Sequence, residues 1–277
     1  MGREKIYYWP AWFSKLLSKT EQAKIKKILP KLQIAQIFLW DALNIYDDFL
    51  DGAGKPAELP KANNYFRHYL EINYQLNLSS DYYKLFDKIL GNLEEANIKE
   101  VSAQKLKIKD GLITIPKKLP NWKNVEHLSD KSLALSLSAL ALLFSLGYKT
   151  SDKKIKASLN FFKCALAAKQ LADDSYDWLE DLKNGSITTA NTPILKAAKR
   201  QKIKLNFKNE PEILYLLFAQ ESSPILIAEI ENLCKMARKE MKKINNQPNN
   251  ILLAKLIFPL EKSCQESKDF TQSVLGA

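Results

Sequence analysis

Two groups of carboxylates are the residues most able to do chemistry in this sequence. Asp47, Asp48 and Asp51 close one apolar stretch, and Asp173, Asp174, Asp177 and Asp181 close another. On a helix, Asp47 and Asp51 stand four apart and Asp48 and Asp51 three apart, so the first set projects from one side. Asp173, Asp177 and Asp181 fall at i, i+4 and i+8 and form one aligned row. Like charges at these spacings repel and weaken a helix. Both sets follow residues that read as core, with Ala165, Leu166, Ala167, Ala168 and Leu171 leading into the second. A partly buried carboxylate row calls for countercharge, and no lysine or arginine row runs beside either. A divalent cation would supply it. All-oxygen ligands suit magnesium, which keeps several waters and is commonly shared with substrate phosphates. Calcium fits less well, because no EF-hand loop spacing is present. The plainer alternative is two solvated acidic faces. It serves for either group alone, and less well for both together in a basic chain.

Long helices must carry these residues. From Leu32 to Leu50 the residues Ile34, Ile37, Phe38, Ala42 and Ile45 recur at helical spacing, and the run ends at Asp51-Gly52. Pro30 starts or kinks this helix, and a preceding one begins near Thr20 and Glu21, with Thr20 as its cap. Further helices are expected over Ala62–Tyr74, Ser80–Ile98, Ser129–Gly147, Ser151–Leu182, Ile194–Arg200, Glu210–Gln220, Pro224–Ile244 and Asn250–Val274. Lys105–Pro120 reads as a loop with a small hairpin around its alternating Leu-Ile-Thr-Ile centre. Asn184–Thr192 reads as a polar loop. With no repeats and no dividing linker, the expectation is an all-α fold in one domain, residues 1–277.

Composition narrows the function classes. Glycine is scarce, 8 in 277 residues, which favours long helices over turn-rich sheets. The net charge of +11 suggests an anionic partner. Nucleic acid is not expected, because the lysines spread along nearly the whole chain and no zinc-finger, RNP-like or basic-zipper pattern occurs. Cys164, Cys234 and Cys264 are odd in number and widely spaced, so neither a disulfide framework nor a metal cluster is suggested. A reducing cytoplasm is the natural compartment. The residues before Lys15 lack a continuous apolar run like that of a signal peptide. Leu133–Tyr148, the most apolar segment, is short for a bilayer span and reads as a buried helix. A peripheral membrane contact stays open. His68 and His127 are isolated, and no Gly-rich phosphate loop or nucleophile–histidine pair stands out.

The two carboxylate groups resemble a known pair of motifs. Asp47-Asp48-Phe49-Leu50-Asp51 is similar to the first DDxxD motif of trans-isoprenyl diphosphate synthases, within the class I isoprenoid synthases. Gln170-Leu171-Ala172-Asp173-Asp174-Ser175-Tyr176-Asp177, with Asp181 beyond, resembles their second motif. Lys131-Ser132 stands where that family has a Lys-Thr pair, and Lys183-Asn184-Gly185 follows in the matching loop. By motif order the resemblance runs over roughly residues 29–193. It implies a helical bundle with an apolar pocket between the motifs, an allylic prenyl diphosphate as substrate and three magnesium ions. Asp47, Asp48, Asp51, Asp173, Asp174, Asp177 and Asp181 would be the metal ligands. Lys131 would touch diphosphate oxygens, Gln170 would lie near the reacting carbons, and a homodimer would be the assembly. Trp40, Phe49, Phe161, Phe162, Tyr176 and Trp178 are candidate pocket aromatics, with core packing the plainer role for each.

The sequence also departs from the chain-elongating members. Their Gly-Lys-Arg-x-x-Arg-Pro stretch is absent, and the arginine pair after the first motif is replaced by Gly52-Ala53-Gly54-Lys55-Pro56. Only Lys55, Arg67 and Lys183 add positive charge for substrate binding. The resemblance therefore implies ionisation of the allylic diphosphate, followed by coupling or cyclisation, rather than standard elongation with isopentenyl diphosphate. Squalene and phytoene synthases, which couple head to head, are an alternative: Asp177-Trp178-Leu179-Glu180-Asp181 fits their second DxxxD motif. A noncatalytic prenyl-synthase-like subunit is another.

Overall fold

In the computed structural model the protein is described at residues 3–50, 52–102, 105–120, 125–245 and 250–276. Asp51 lies outside the described residues, as does most of the Asn246–Asn250 run. The fold is all-α with one small hairpin. In chain order the elements are α1 (Arg3–Tyr7), α2 (Trp9–Ser14), α3 (Lys19–Ile25), α4 (Leu29–Leu50), α5 (Leu59–Gln75), α6 (Ser80–Val101), β1 (Lys107–Lys109), β2 (Leu112–Thr114), α7 (Val125–Leu133), α8 (Leu137–Ser145), α9 (Lys153–Lys183), α10 (Asn191–Gln201), α11 (Pro211–Leu217), α12 (Ser223–Ile244) and α13 (Phe258–Leu275). They group into two compact units. Residues 1–101, 130–163 and 237–255 form one; residues 102–129, 164–236 and 256–277 form the other.

In the first unit, α8 is the core helix, and every side chain from Leu133 to Phe144 is buried. This is the apolar segment read from the sequence as a buried helix. The stretch His127–Ser145 is long and apolar enough to cross a membrane, but 83% of its apolar window is buried inside the protein, as in a core helix. The chain start contributes more than its composition suggested. Trp9 and Phe13 on α2 are fully buried and stack on Phe162, with ring centroids 5.7 and 6.0 Å away.

Pro30 sits in the first turn of α4, where its missing N–H costs nothing, so it starts this helix rather than kinking one. The cap of α3 is Ser18, not Thr20. Ser18 accepts from the Glu21 amide while Glu21 accepts from the Ser18 amide, which makes a reciprocal capping box. Glu21 also accepts from Lys154 Nζ at 2.8 Å and Tyr148 Oη at 2.7 Å. Burial pushes the Glu21 carboxyl up, but the hydrogen bonds from Lys154, Tyr148 and Ser18 outweigh it and hold its pKa at about 2.

In the second unit, Trp178 on α9 stacks on Phe218 at 4.5 Å and meets Tyr215 edge-on at 5.5 Å, which pins the middle of the acidic stretch to the α11 region. The small hairpin expected within Lys105–Pro120 is present, with the Leu-Ile-Thr stretch as its second strand and the turn just ahead of it. Asp110 (φ 52) and Gly111 (φ 83) both adopt the left-handed conformation that a two-residue hairpin turn requires. The three cysteines are buried thiols in no disulfide, in line with their odd count. Burial, with the Glu231 carboxylate nearby, pushes the Cys264 thiol up to about 11.

Candidate active site

The first carboxylate row is built by the end of α4. Leu32, Ala35, Gln36, Leu39 and Ala42 form the buried stripe of this helix, and Asp47 and Asp48 stand exposed in its last turn. The helix stops because the Gly52 amide bonds to the Phe49 carbonyl and the Ala53 amide to the Asp48 carbonyl, with Gly52 at φ 79. This is the Schellman arrangement. The loop then folds back so tightly that a Cβ at Gly54 would meet the Phe49 Cα at 2.6 Å, so only glycine fits there. The last turn of α4 carries no basic residue. Two carboxylates therefore stand at the negative end of a helix dipole, a placement that costs about 0.3–1 kcal/mol each. A cation bound there would reverse that cost.

The second row lies on α9, where neighbouring side chains partner its carboxylates. Gln170 Nε2 donates to Asp174 Oδ1 at 2.8 Å, and the Thr189 hydroxyl donates to Asp174 Oδ2. Lys169 pairs with Asp173 one turn away. No lysine row runs beside this stretch, but one lysine does reach it: Lys169 stands at i,i+4 from Asp173, where helix geometry brings the two side chains together. Asp173 and Asp177 are exposed, while Asp174 and Asp181 are half-buried. This helix ends as α4 does. The Ser186 amide bonds to the Asp181 carbonyl and the Gly185 amide to the Leu182 carbonyl, with Gly185 at φ 77. The loop beyond is cross-braced. Asn191 Oδ1 accepts from the Thr188 amide, and Ser222 Oγ donates to the Ala190 carbonyl. Thr189 is thus held in place against Asp174. Nothing in its spacing singled it out, because the contact exists only once the loop has folded back.

Among the described residues, no three His, Cys, Asp or Glu side chains gather as a ready-made metal cage. Magnesium does not need one, since it commonly takes one or two carboxylates with waters and substrate phosphate oxygens. The donors fit it: hard carboxylate oxygens, exposed at Asp47, Asp48, Asp173 and Asp177.

No family model and no curated protein sequence matches this chain. Among solved structures, it is similar to a geranylgeranyl pyrophosphate synthase from Corynebacterium glutamicum. The TM-score is 0.60 at 15% identity, over 97% of this chain and 80% of that one. The chain has an isoprenoid synthase-like fold. At that identity, the likeness speaks for the fold alone.

Within this isoprenoid synthase-like fold, the remaining candidate residues have distinct settings. Lys131, on α7, is half-buried and ion-paired with Glu100 on α6, a partner its sequence position did not reveal. Lys55 is exposed in the loop after α4, and Lys183 is exposed in the last turn of α9. Arg67 is exposed on α5 and donates to Asn64 at 3.1 Å. Helix α5 runs back along α4: Tyr46 bonds to Asn63, and Phe38 contacts Tyr65 and His68. Arg67 therefore lies a turn further from Asp47 than Asn63 does. Of the candidate aromatics, Phe161, Phe162 and Trp178 are core residues, Trp40 is half-buried, Phe49 is exposed and Tyr176 is 88% exposed.

Proposed function

We propose that this chain is a magnesium-dependent class I isoprenoid synthase that ionises an allylic prenyl diphosphate, releases pyrophosphate, and couples or cyclises the resulting carbocation. The observation that carries this reading is the pairing of two carboxylate rows with an isoprenoid synthase-like fold. Each row is displayed on the closing turns of a long helix whose other residues pack the core.

The carboxylates of Asp47, Asp48, Asp51, Asp173, Asp174, Asp177 and Asp181 are the proposed magnesium ligands. Bound magnesium neutralises charge on the departing diphosphate. Lys131 contributes its ammonium to diphosphate oxygens, which requires it to exchange its Glu100 partner for the substrate. Lys55, Arg67 and Lys183 add positive potential that favours an anionic ligand. Gln170, steadied by Asp174, is the polar group proposed to lie near the reacting carbons. Thr189 joins the set as a positioning residue, because it fixes the second oxygen of Asp174. The loop Gly52–Pro56, which has no arginine pair, supports ionisation of one allylic substrate over elongation with isopentenyl diphosphate.

The test is pyrophosphate release with magnesium and C10, C15 or C20 allylic diphosphates, each with and without isopentenyl diphosphate, with products identified by mass spectrometry. Release from the allylic substrate alone, with a hydrocarbon or alcohol of unchanged carbon number, is the expected result. A product of doubled carbon number would instead establish head-to-head coupling. Release only with isopentenyl diphosphate would establish elongation. No release from any of the substrates would overturn the enzymatic reading in favour of a noncatalytic subunit.

A further inference from the structure

The net charge of this chain is concentrated in one place. Residues 105–118 contain five lysines and one acid, Asp110; residues 196–208 contain five lysines and one arginine and no acid. Those two segments hold 11 of the 42 basic residues and 1 of the 31 acidic ones, leaving 31 against 30 elsewhere. They account for +10 of the net +11. Lysines are indeed spread along the chain, but outside these segments acids balance them.

The fold joins the two segments. Strands β1 and β2 pair antiparallel, Lys107 with Thr114, Ile108 with Ile113 and Lys109 with Leu112. A third segment lies along β2 through the bridge Leu112–Asn206, with the Ile113 amide bonded to the Leu205 carbonyl and the Phe207 amide to the Gly111 carbonyl. Side chains alternate across such a surface, and paired residues share a face. Ile113 and Leu205 are buried on the inner face. The outer face presents Lys107, Lys109, Leu112, Thr114, Lys204, Asn206 and Lys208, and its four lysines are exposed. The stem of Lys208 lies over Gly111: a Cβ on that glycine would meet Lys208 Cγ at 2.7 Å. Lys105, Lys117, Lys118, Lys196, Lys199 and Lys202, from the same two segments, are exposed as well. Lys199 donates to the Lys117 carbonyl, a neutral acceptor that leaves its charge in place. Arg200 pairs with Glu221, so the net charge is carried by lysines. Among the described residues, no salt bridge reaches any of those lysines.

We propose that this outer face docks on an anionic membrane surface. A row of uncompensated lysines is attracted to acidic headgroups. Leu112, an apolar side chain 41% exposed among them, can enter the headgroup layer while the lysine stems stretch outward to the phosphates. A single-stranded nucleic acid fits less well. Such ligands are gripped by aromatic rings on which bases stack, and among the described residues this face has none. The surface stands on its charge and geometry, independent of the catalytic reading, and it belongs to the same unit as the second carboxylate row. Its edge is tied to the loop after α9, because the Leu106 amide bonds to the Gly185 carbonyl at 2.8 Å.

The test is co-sedimentation of the full chain, without metal or substrate, with vesicles of phosphatidylcholine alone or mixed equally with phosphatidylglycerol. Binding to the mixed vesicles only, weakened by added salt, is the expected result. Each lysine removed is expected to lower partitioning roughly fivefold, so Lys107→Gln/Lys109→Gln/Lys204→Gln together should lower it on the order of a hundredfold. Leu112→Ser should weaken binding without changing its salt dependence. The control Lys61→Gln/Lys84→Gln/Lys88→Gln, exposed lysines on α5 and α6, should bind like the parent. If the triple variant does not fold, the single Lys107→Gln reads the same effect on a smaller scale. Equal binding to neutral vesicles, no binding to the mixed ones, or full retention by the folded variants would overturn the proposal. So would tighter binding to a poly-uridine strand that the same triple substitution removes. The assay needs no turnover, so a chain that binds vesicles but releases no pyrophosphate would count against the catalytic reading alone.

Discussion

The two carboxylate rows face the same electrostatic problem and meet it differently. At the end of α4, Asp47 and Asp48 stand exposed against the negative end of the helix dipole, with no basic residue in that turn. On α9, Lys169 pairs with Asp173, and Gln170 and Thr189 take one oxygen each of Asp174. Glu21 marks the far extreme: its cation, Lys154, is built in, and its pKa is held at about 2. Placed in that order, the three sites run from a helix turn that carries no basic residue of its own to a carboxylate whose lysine is built in. Acidity by itself says little about a binding site. What matters is how much countercharge the fold already provides.

The sharpest way to break this comparison is to remove one carboxylate from each row. Asp48→Ala and Asp177→Ala are both expected to lower pyrophosphate release by at least about a hundredfold, since each removes a ligand that acts where charge develops. Circular dichroism should show unchanged helix content in both. Normal turnover in both folded variants would refute the assigned roles.

Thr189 tests whether the second row depends on its support. Thr189→Val leaves one oxygen of Asp174 without its donor and keeps the shape. Hydrogen bonds to charged groups contribute about 1.5–3 kcal/mol, so a stability loss in that range is expected by chemical denaturation. Partners of metal ligands also tune affinity, and the magnesium concentration for half-maximal activity should rise about tenfold. Thr189→Ser should restore both. A stability loss with unchanged magnesium dependence would make Thr189 a loop brace and nothing more.

Glu21 calibrates the satisfied end of the comparison. Its folded pKa of about 2 lies below the ordinary 4.5, so it contributes stability that is fully present above about pH 4.5. That contribution is lost as pH falls from there through about 2. Glu21→Gln should therefore be less stable than the parent at neutral pH, with the gap closing across that window. A gap that stays constant down to pH 2 would mean that the advantage of Glu21 over glutamine comes from its shape and not from its charge.

Much of this organisation was legible in the sequence, because its causes are local. Pro30 marks the start of α4, Gly52 and Gly185 mark the ends of the acidic helices, and Asp110-Gly111 sets the hairpin turn. Each is a position where backbone geometry admits few residue types. The apolar run of α8 announces its own burial. What stayed hidden depends on tertiary contact. Trp9 and Phe13 sit on one helix too short to show a period, and only their stacking on Phe162 explains them. Thr189 and Glu100 acquire their partners, Asp174 and Lys131, only after distant segments meet. Lys169 could have been found by its i,i+4 spacing from Asp173. The basic face is hidden because its lysines come from two segments far apart in the chain, which meet only along β2.

The smallest effect separates the two rows most directly. Without metal, Asp48→Asn removes a charge that opposes the α4 dipole, so the protein should gain about 0.3–1 kcal/mol. Asp173→Asn instead breaks the Lys169 pair and should lose about 0.3–0.5 kcal/mol, the scale of an exposed i,i+4 ion pair. Opposite signs in paired thermal melts would show that the Asp48 charge works against the helix dipole while the Asp173 charge is already paired. Adding magnesium with pyrophosphate should then stabilise the parent and erase the advantage of Asp48→Asn, because a ligand that binds only the folded state adds stability by mass action. If both substitutions destabilise the protein, the contrast between the rows fails, and the charge of Asp48 is already compensated at the end of α4 by something other than bound metal.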